Sequence, residues 1–239
     1  MSLKVVLLTT ETGHHLYYAW KMAERFPLQA ILMETQSTAP RFDTFHPFEA
    51  QRDVYEHEAL LEGRVGSFEE VAPVYRFDAV NSAGSLAKLD ALGPEVILVF
   101  GTGKVFAPVI QSASVACLNL HGGNPEAYRG LDAHLWAVYK EDFGNLMTTL
   151  HHVDTGLDTG DIVFQSRLSF TRQSKLYELR SVNTRACVEL SLRALEQLEQ
   201  RGSVPSRRQS RRGVYYSFMP SSLKEDCVRK FERYVERLG

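Results

Sequence analysis

The sequence predicts an α/β fold with a doubly wound, mostly parallel sheet, on three observations. Two continuous apolar runs, residues 4–10 and 95–100, have strand length without polar alternation, which is typical of strands buried on both faces. Stretches with helical periodicity separate the apolar runs, as in repeated βαβ units. Polar or glycine-rich segments, Gly101-Thr102-Gly103 and Asn119-Leu120-His121, stand at strand ends. Because open α/β sheets bind ligands there, we expect a site at that edge.

The opening of the chain predicts one βαβ unit. After the first strand, apolar residues recur at three- and four-residue spacing from His14 to Phe26, the period of an amphipathic helix. A second apolar run, Leu28 to Met33, follows this helix. The two strands should therefore be parallel and joined by a right-handed crossover.

The segment from Gln36 to Tyr75 is the least regular part of the sequence. Pro40 and Pro47 interrupt it, and only Phe48 to Leu61 has helical potential. Two interpretations are open: the segment covers a site, or it contains a solvated helix packed on one edge of the sheet.

The centre of the chain predicts two more strands, each preceded by a helix. Gly93-Pro94 gives the first of these helices a definite end. Asn119 and His121 lie on the second strand, and they share one face of it because side chains alternate with a period of two. The predicted elements are a helix at 85–92, a strand at 95–100, a short helix at 107–112 and a strand at 116–121.

The remaining chain predicts a pair of strands followed by a helical C-terminal part. A glycine-bearing turn, residues 154–161, joins the two strands. We expect a catalytic domain at residues 1–172 and a helical extension, residues 173–239, packed on it. The predicted elements are a helix at 132–141, strands at 147–154 and 162–170, a helix at 176–199, a strand at 214–218 and a helix at 222–238.

Bulk properties exclude several classes of protein. Of 239 residues, 44% are hydrophobic and 23% are charged, which is ordinary globular composition. A net charge of -2 gives no overall field for nucleic acid or an anionic membrane. Cys117, Cys187 and Cys227 are far apart and fit a reducing compartment, and no apolar run has membrane-spanning length. We therefore expect a cytoplasmic protein without nucleic-acid or membrane partners.

Asn119, His121 and Asp158 provide an amide, an imidazole and a carboxylate. Such a set can stabilise an oxyanion, move a proton and hold the proton carrier, which acyl transfer to an amine requires. Taken singly, a histidine at a strand end can be structural, and an aspartate before Thr-Gly fits a turn. We expect no metal, because adjacent histidines such as His151-His152 or His14-His15 would each offer only one ligand to a site.

Several motifs in a fixed order resemble the formyltransferase catalytic domain. That family includes glycinamide ribonucleotide formyltransferase, methionyl-tRNA formyltransferase and the nucleotide-sugar N-formyltransferases. The resemblance is strong over roughly Val96 to Phe170 and weak elsewhere. The motifs are Asn119-Leu120-His121, Tyr128-Arg129-Gly130 with His134 and Trp136 beyond it, Thr149-Leu150-His151 and Leu157-Asp158-Thr159-Gly160-Asp161-Ile162.

The resemblance implies a Rossmann-like fold and transfer of a formyl group from 10-formyltetrahydrofolate to an amine. Asn119 would donate to the oxyanion, and His121, held by Asp158, would pass the amine proton to the folate nitrogen. A supporting role falls to Tyr128, Arg129 and His151. The implied folate pocket consists of Thr102, Gly103, Lys104, Val105 and Phe106 on one side and Thr155, Gly156 and Leu157 on the other.

Departures from the family pattern reduce the range of possible acceptors. The common loop His-Pro-Ser-Leu-Leu-Pro is His121-Gly122-Gly123-Asn124-Pro125-Glu126 here, which leaves the contacts of that loop open. Glu11 stands where the purine enzyme binds phosphate and would repel it. The methionyl-tRNA enzymes carry a sizeable C-terminal barrel and a basic face, whereas only about seventy residues follow Phe170. We expect a small amine acceptor, either an amino sugar on a nucleotide or an amino-acid-like metabolite.

Alternatives remain open at the level of sequence. Instead of formyl transfer, the chain could hydrolyse formyltetrahydrofolate or bind folate or a nucleotide sugar without catalysis. The helices at 176–199 and 222–238 could form a homodimer interface. The arginines of the loop at 205–213 would either clamp an acceptor's phosphates or be solvated, and the nearby aromatic residues would either stack on a base or sugar or bury a strand. These side chains are Arg207, Arg208, Arg211 and Arg212, followed by Tyr215, Tyr216 and Phe218.

Overall fold

Seven strands form one sheet in the computed structural model, which describes residues 3–36 and 39–238. In sequence order all the described strands are β1 (Val5–Thr9), β2 (Leu28–Glu34), β3 (Val74–Phe77), β4 (Val96–Phe100), β5 (Ala116–His121), β6 (Tyr128–Gly130), β7 (Met147–His152), β8 (Ile162–Arg167) and β9 (Val214–Tyr216). Two of them, β6 and β9, lie outside the seven-stranded sheet. The helices are α1 (Gly13–Ala23), α2 (Pro47–Ala59), α3 (Ala83–Leu92), α4 (Ala107–Gln111), α5 (Ala133–Tyr139), α6 (Leu179–Arg201) and α7 (Ser221–Val235).

The main sheet has the strand order β3-β2-β1-β4-β5-β7-β8. Its first five strands are parallel, and β7 and β8 are antiparallel to their neighbours. The strands β6 and β9 form a separate two-stranded parallel sheet. This architecture confirms the predicted doubly wound, mostly parallel fold.

Alternate side chains of β1 enter two different apolar clusters. Val5 and Leu7 pack in the cluster that contains α1 and α6, whereas Val6 and Leu8 pack with residues of α3 and α4 on the other face. Every residue of β1 is buried, as the unbroken apolar run predicts. Both faces of the sheet are therefore covered by helices.

The sequence pattern does not predict two of the strands, β3 and β6. The strand β3 lies at the edge of the sheet with half-exposed residues, so Val74 to Phe77 lack a continuous apolar pattern. The strand β6 is only three residues long and is defined by its pairing with β9. The helix expected near Phe48 is α2. It begins at a capping box formed by His46, and it packs against α1 and α6.

The C-terminal part of the chain contributes directly to the main core. Tyr18 of α1 donates a hydrogen bond of 2.8 Å to Ser191 of α6, and both side chains are buried. The helix α7 packs on α5. The proposed boundary at residues 172 and 173 stays a prediction. Within residues 3–36 and 39–238, no helix combines the length and apolarity needed to cross a membrane.

We predict that Leu195→Ala lowers the free energy of unfolding by about 2–5 kcal/mol. Leu195 is 0% exposed and belongs to the same cluster as β1, so truncation leaves a cavity in the central core. Urea unfolding followed by tryptophan fluorescence and circular dichroism measures the change. The control Glu199→Ala removes an exposed side chain of α6 and should shift stability by less than about 0.5 kcal/mol. Equal effects of the two substitutions would contradict this packing.

Candidate active site

The candidate site lies where β5 meets the turn between β7 and β8. Asn119 and His121 are on β5, and His151 pairs with Asn119 across the β5–β7 ladder. Asp158 lies on the turn with a φ of 53°, a left-handed conformation that non-glycine residues rarely adopt. The structure thus brings Asn119, His121, His151 and Asp158 together from two separated segments.

Asp158 receives contacts from three directions. Its Oδ2 accepts a hydrogen bond of 2.8 Å from the Gly130 backbone N–H and lies 3.6 Å from His121 Nδ1. Its Oδ1 lies 3.6 Å from His151 Nε2. Burial acts to raise the pKa of Asp158, but the two histidines and the Gly130 N–H outweigh it and lower that pKa below its usual value. The carboxylate is therefore anionic at neutral pH.

The orientation of His121 is fixed by a backbone carbonyl. His121 Nε2 donates to the carbonyl oxygen of Tyr128 at 2.8 Å, and the ring is buried. The hydroxyl of Tyr128 in turn donates to Asp142 at 2.9 Å. Because Nε2 carries a proton for Tyr128, Nδ1 is the nitrogen that can gain or lose a proton beside Asp158.

The amide of Asn119 is oriented by His151. Asn119 Nδ2 lies 3.1 Å from His151 Nε2, and His151 Nδ1 donates to the carbonyl of His152 at 2.7 Å. A primary amide has two N–H donors. One faces His151, and the other has no partner within the described chain. Asn119 can therefore donate to an oxygen bound at the site.

The predicted folate loop after β4 is held by two polar side chains. Glu34 accepts hydrogen bonds from the backbone N–H groups of Gly103 and Val80, at 2.8 and 3.0 Å. Asn81 accepts from Phe106 N–H and donates to the Lys104 carbonyl, both at 2.8 Å. The Phe106 ring is 53% exposed. The loop thus has a fixed backbone and presents an apolar ring.

The second predicted folate segment, residues 155–157, belongs to the turn that carries Asp158. Asp154 shapes this turn by accepting from Gly156 N–H at 3.0 Å and from the Thr159 hydroxyl at 2.7 Å. A Cβ on Gly156 would lie 1.8 Å from the Thr159 hydroxyl oxygen, so any larger residue here would displace this hydroxyl from Asp154. The folate role of residues 155–157 and of the loop after β4 stays a prediction.

A C-terminal segment that we call the strap, residues 205–213, holds the Asp158 turn. Gln209 Nε2 donates to the backbone carbonyls of Asp158 and Gly160, both at 2.9 Å. Arg129 bridges the turn and the strap, because its Nη1 donates to the Leu157 carbonyl and its Nε to the Gly213 carbonyl. The strap therefore fixes the backbone on both sides of Asp158.

Glu126 anchors the strap to the loop after β5. Its carboxylate accepts from Arg207 Nη1 and Nη2 at 3.0 and 2.7 Å and from the Ser210 N–H and hydroxyl. Arg211 Nε donates to the Glu126 carbonyl. The hydrogen bonds from Arg207 lower the pKa of Glu126 to about 2, against the opposing effect of burial. Two of the four strap arginines are therefore bound within the protein.

Sequence reasoning missed Glu126 and Gln209, although one signal was present. Glu126 lies in the segment that departs from the family loop. Its partners, Arg207 and Arg211, belong to a loop that contains no acidic residue, so an acidic partner had to come from elsewhere in the chain. The expectation that the aromatic residues bury a strand is wrong for Tyr215, which is 51% exposed, and its neighbour Val214 is exposed as well.

Metal and thiol chemistry find no support in the described part of the chain. No group of three or more histidine, cysteine, aspartate or glutamate side chains there is arranged to hold a metal ion. His14 and His15 lie on α1 with ring centroids 4.0 Å apart. Burial raises the pKa of the Cys117 thiol to about 12, so it is neutral at physiological pH.

Comparison with known proteins identifies the family. The model of the formyl transferase family matches residues 46–187. The chain belongs to the formyl transferase family. It is similar to methionyl-tRNA formyltransferase of Synechococcus sp. strain JA-3-3Ab, with 30% identity over 154 residues, 64% of this chain and 47% of that protein. The chain spans about half the length of the curated relatives that it matches.

Solved structures share the fold of this formyl transferase family member. A 4-N formyltransferase from Francisella tularensis matches with a TM-score of 0.58 and 16% identity, over 90% of this chain and 76% of that chain. The formyltransferase PseJ from Anoxybacillus kamchatkensis, in complex with UDP-4,6-dideoxy-4-formamido-L-AltNAc and tetrahydrofolate, matches with a TM-score of 0.50 and 19% identity, over 90% and 85%.

We predict that Glu126→Gln destabilises the protein by about 1–2 kcal/mol at neutral pH, because it breaks the ion pair with Arg207. The cost stays in this range because Arg207 is half-exposed and solvent partly screens the pair. The pKa of Glu126 is lowered from 4.5 in the unfolded chain to about 2, so its stabilising effect is complete above pH 4.5 and is lost as the pH falls toward about 2. Urea unfolding at several pH values measures the difference between the two proteins. A difference that stays constant down to pH 2 would contradict the assignment.

Proposed function

We propose that this chain transfers a formyl group from 10-formyltetrahydrofolate to the amine of a small acceptor, an amino sugar linked to a nucleotide or an amino-acid-like metabolite. The observation that carries the proposal is the arrangement of Asn119, His121 and Asp158, which places a free amide N–H, an imidazole and an anionic carboxylate at one site. Family membership supports the reaction type and the folate co-substrate.

Asn119 supplies the oxyanion donor in this mechanism. As the amine nitrogen bonds to the formyl carbon, negative charge develops on the formyl oxygen. The Asn119 N–H that His151 does not use can donate to that oxygen. His151 holds the amide in place before the reaction, so little reorganisation is needed when the charge develops.

His121 carries the proton. When neutral, its Nδ1 accepts the proton that the attacking amine loses, and it returns this proton to the folate nitrogen as the carbon–nitrogen bond to the formyl group breaks. Asp158 stabilises the protonated ring, whose Nδ1 lies 3.6 Å from the carboxylate. The lowered pKa of Asp158 keeps it anionic throughout, so it orients and stabilises the histidine rather than taking the proton.

The loop after β4 and the Asp158 turn are suited to folate. A pterin has donors and acceptors along one edge, which backbone groups of small residues can match. Glu34 and Asn81 fix the loop, and exposed Phe106 offers a ring for stacking. We assign folate binding to Thr102, Gly103, Lys104, Val105, Phe106, Thr155, Gly156 and Leu157.

A small acceptor fits the chain better than tRNA. The net charge of the chain is -2, which gives no overall field to attract a polyanion. A neighbour in fold, PseJ, is in complex with a formamido sugar linked to UDP. The exposed ring of Tyr215, on the strand paired with Arg129, is available to a base or sugar. A homodimer through the helices near 176–199 and 222–238 stays a prediction.

We predict that Asn119→Ala lowers kcat at least about a hundredfold, the typical cost of losing one oxyanion donor. Initial rates of tetrahydrofolate release at saturating substrates measure the effect. Gln111→Ala, which removes an exposed side-chain amide from α4 next to β5 in sequence, is the control and should leave kcat unchanged. A kcat for Asn119→Ala within a few fold of wild type would refute the oxyanion role.

The decisive experiment is a screen for acceptor-dependent release of tetrahydrofolate. The panel contains free amino sugars, nucleotide-linked amino sugars and amino acids, each with 10-formyltetrahydrofolate, and mass spectrometry detects the formylated product. We expect release with one acceptor class and its loss in His121→Ala. Equal release without any acceptor would identify a hydrolase. Folate binding without turnover in every arm would identify a binding protein.

A further inference from the structure

Arg129 is a buried cation whose contacts in the protein are neutral. Arg129 is only 7% exposed to solvent. Its Nε and Nη1 donate to the carbonyls of Gly213 and Leu157, at 2.8 and 2.9 Å. Its Nη2 has no hydrogen-bond partner in residues 3–36 and 39–238. Since carbonyls do not neutralise a guanidinium, a buried charge in this position favours an anion.

A second arginine without an ion pair in the described chain, Arg212, is the sequence neighbour of a residue that Arg129 contacts. Arg212 precedes Gly213, whose carbonyl Arg129 binds, and its side chain is exposed. It makes no hydrogen bond or ion pair with the residues that the structure describes. Burial and then the charge of Arg212 lower the pKa of Arg129, whereas Asp158 raises it. Arg212 thus lies one residue from a backbone group that Arg129 contacts, and neither guanidinium forms an ion pair within the described residues.

The nearby acidic groups are engaged elsewhere or form no ion pair with these arginines. Asp158 contacts Gly130 and the two site histidines, and Asp154 accepts from its own turn. Glu126 is bound by Arg207 and Ser210. Asp161 is exposed and, within the described ranges, has no ion pair with either arginine. The positive charge at this margin of the site is thus not neutralised by the chain itself.

We propose that Arg129 and Arg212 form a subsite for an oxyanion, a phosphate or carboxylate of a substrate bound next to Asp158. Guanidinium groups recognise both with paired N–H donors. The proposal rests on the proposed function for its location, because Arg129 is bonded to the turn that carries Asp158. Two sources offer this chemistry: a phosphate of the acceptor and the glutamate carboxylates of the folate.

Isothermal titration of inorganic pyrophosphate into the full chain at low salt tests the subsite without catalysis. We expect wild type to bind and Arg212→Gln to bind at least about tenfold more weakly, because a charge-assisted contact is lost. The matched control is Arg208→Gln, which removes an exposed strap arginine with no side-chain partner in the described chain and should change Kd less than about twofold. Circular dichroism verifies folding.

Three outcomes would overturn the proposal: no binding to wild type, equal binding to Arg212→Gln, or equal weakening by Arg208→Gln, which would indicate a diffuse field. Steady-state kinetics with the acceptor from the screen then separates the two sources. A raised acceptor KM in Arg212→Gln assigns the anion to the acceptor, and a raised folate KM assigns it to folate. Pyrophosphate binding that depends on Arg212 in a chain without formyl transfer would refute the proposed function and leave the subsite standing.

Discussion

The carboxylate of Asp158 is the constraint on which the rest of the site depends. The backbone of Asp158 is held in a left-handed conformation. Its carboxylate accepts a hydrogen bond from the Gly130 N–H and faces His121 and His151. Burial alone would favour its neutral form. The surrounding N–H donor and the two imidazoles therefore keep it ionised, and the same contacts set the orientation of the imidazole that would carry the proton.

The core of the fold was predictable because burial on both faces leaves a direct trace in sequence. The strands β1 and β4 are continuous apolar runs and β5 begins as one, and the bounds of all three agree with the expected ones to within a residue. The edge strand β3 has no such trace, since half of its environment is solvent. The three residues of β6 become a strand only through a partner 86 positions later, Val214 for Tyr128, which local periodicity cannot report.

The same distinction applies to the site. Asn119 and His121 share a strand, and several motifs in a fixed order, including the one around Asp158, resemble the family pattern, so these residues could be chosen as candidates from the sequence. Glu126 and Gln209 could not be selected in this way, because their roles depend on contacts between segments 49 to 85 positions apart. The loop that departs from the family pattern supplies Glu126, so the departure has a structural counterpart in the strap.

The strap also determines when a growing polypeptide can acquire the site. The groups that hold the backbone around Asp158 come from Gln209 and Gly213, both of which are translated after β5 and the turn. An emerging chain can pair β1, β4 and β5 early, yet its aspartate turn lacks these ties until translation has passed position 213. Completion of the site is thereby coupled to translation through position 213, and fragments ending before the strap would retain the sheet with a turn that lacks these ties.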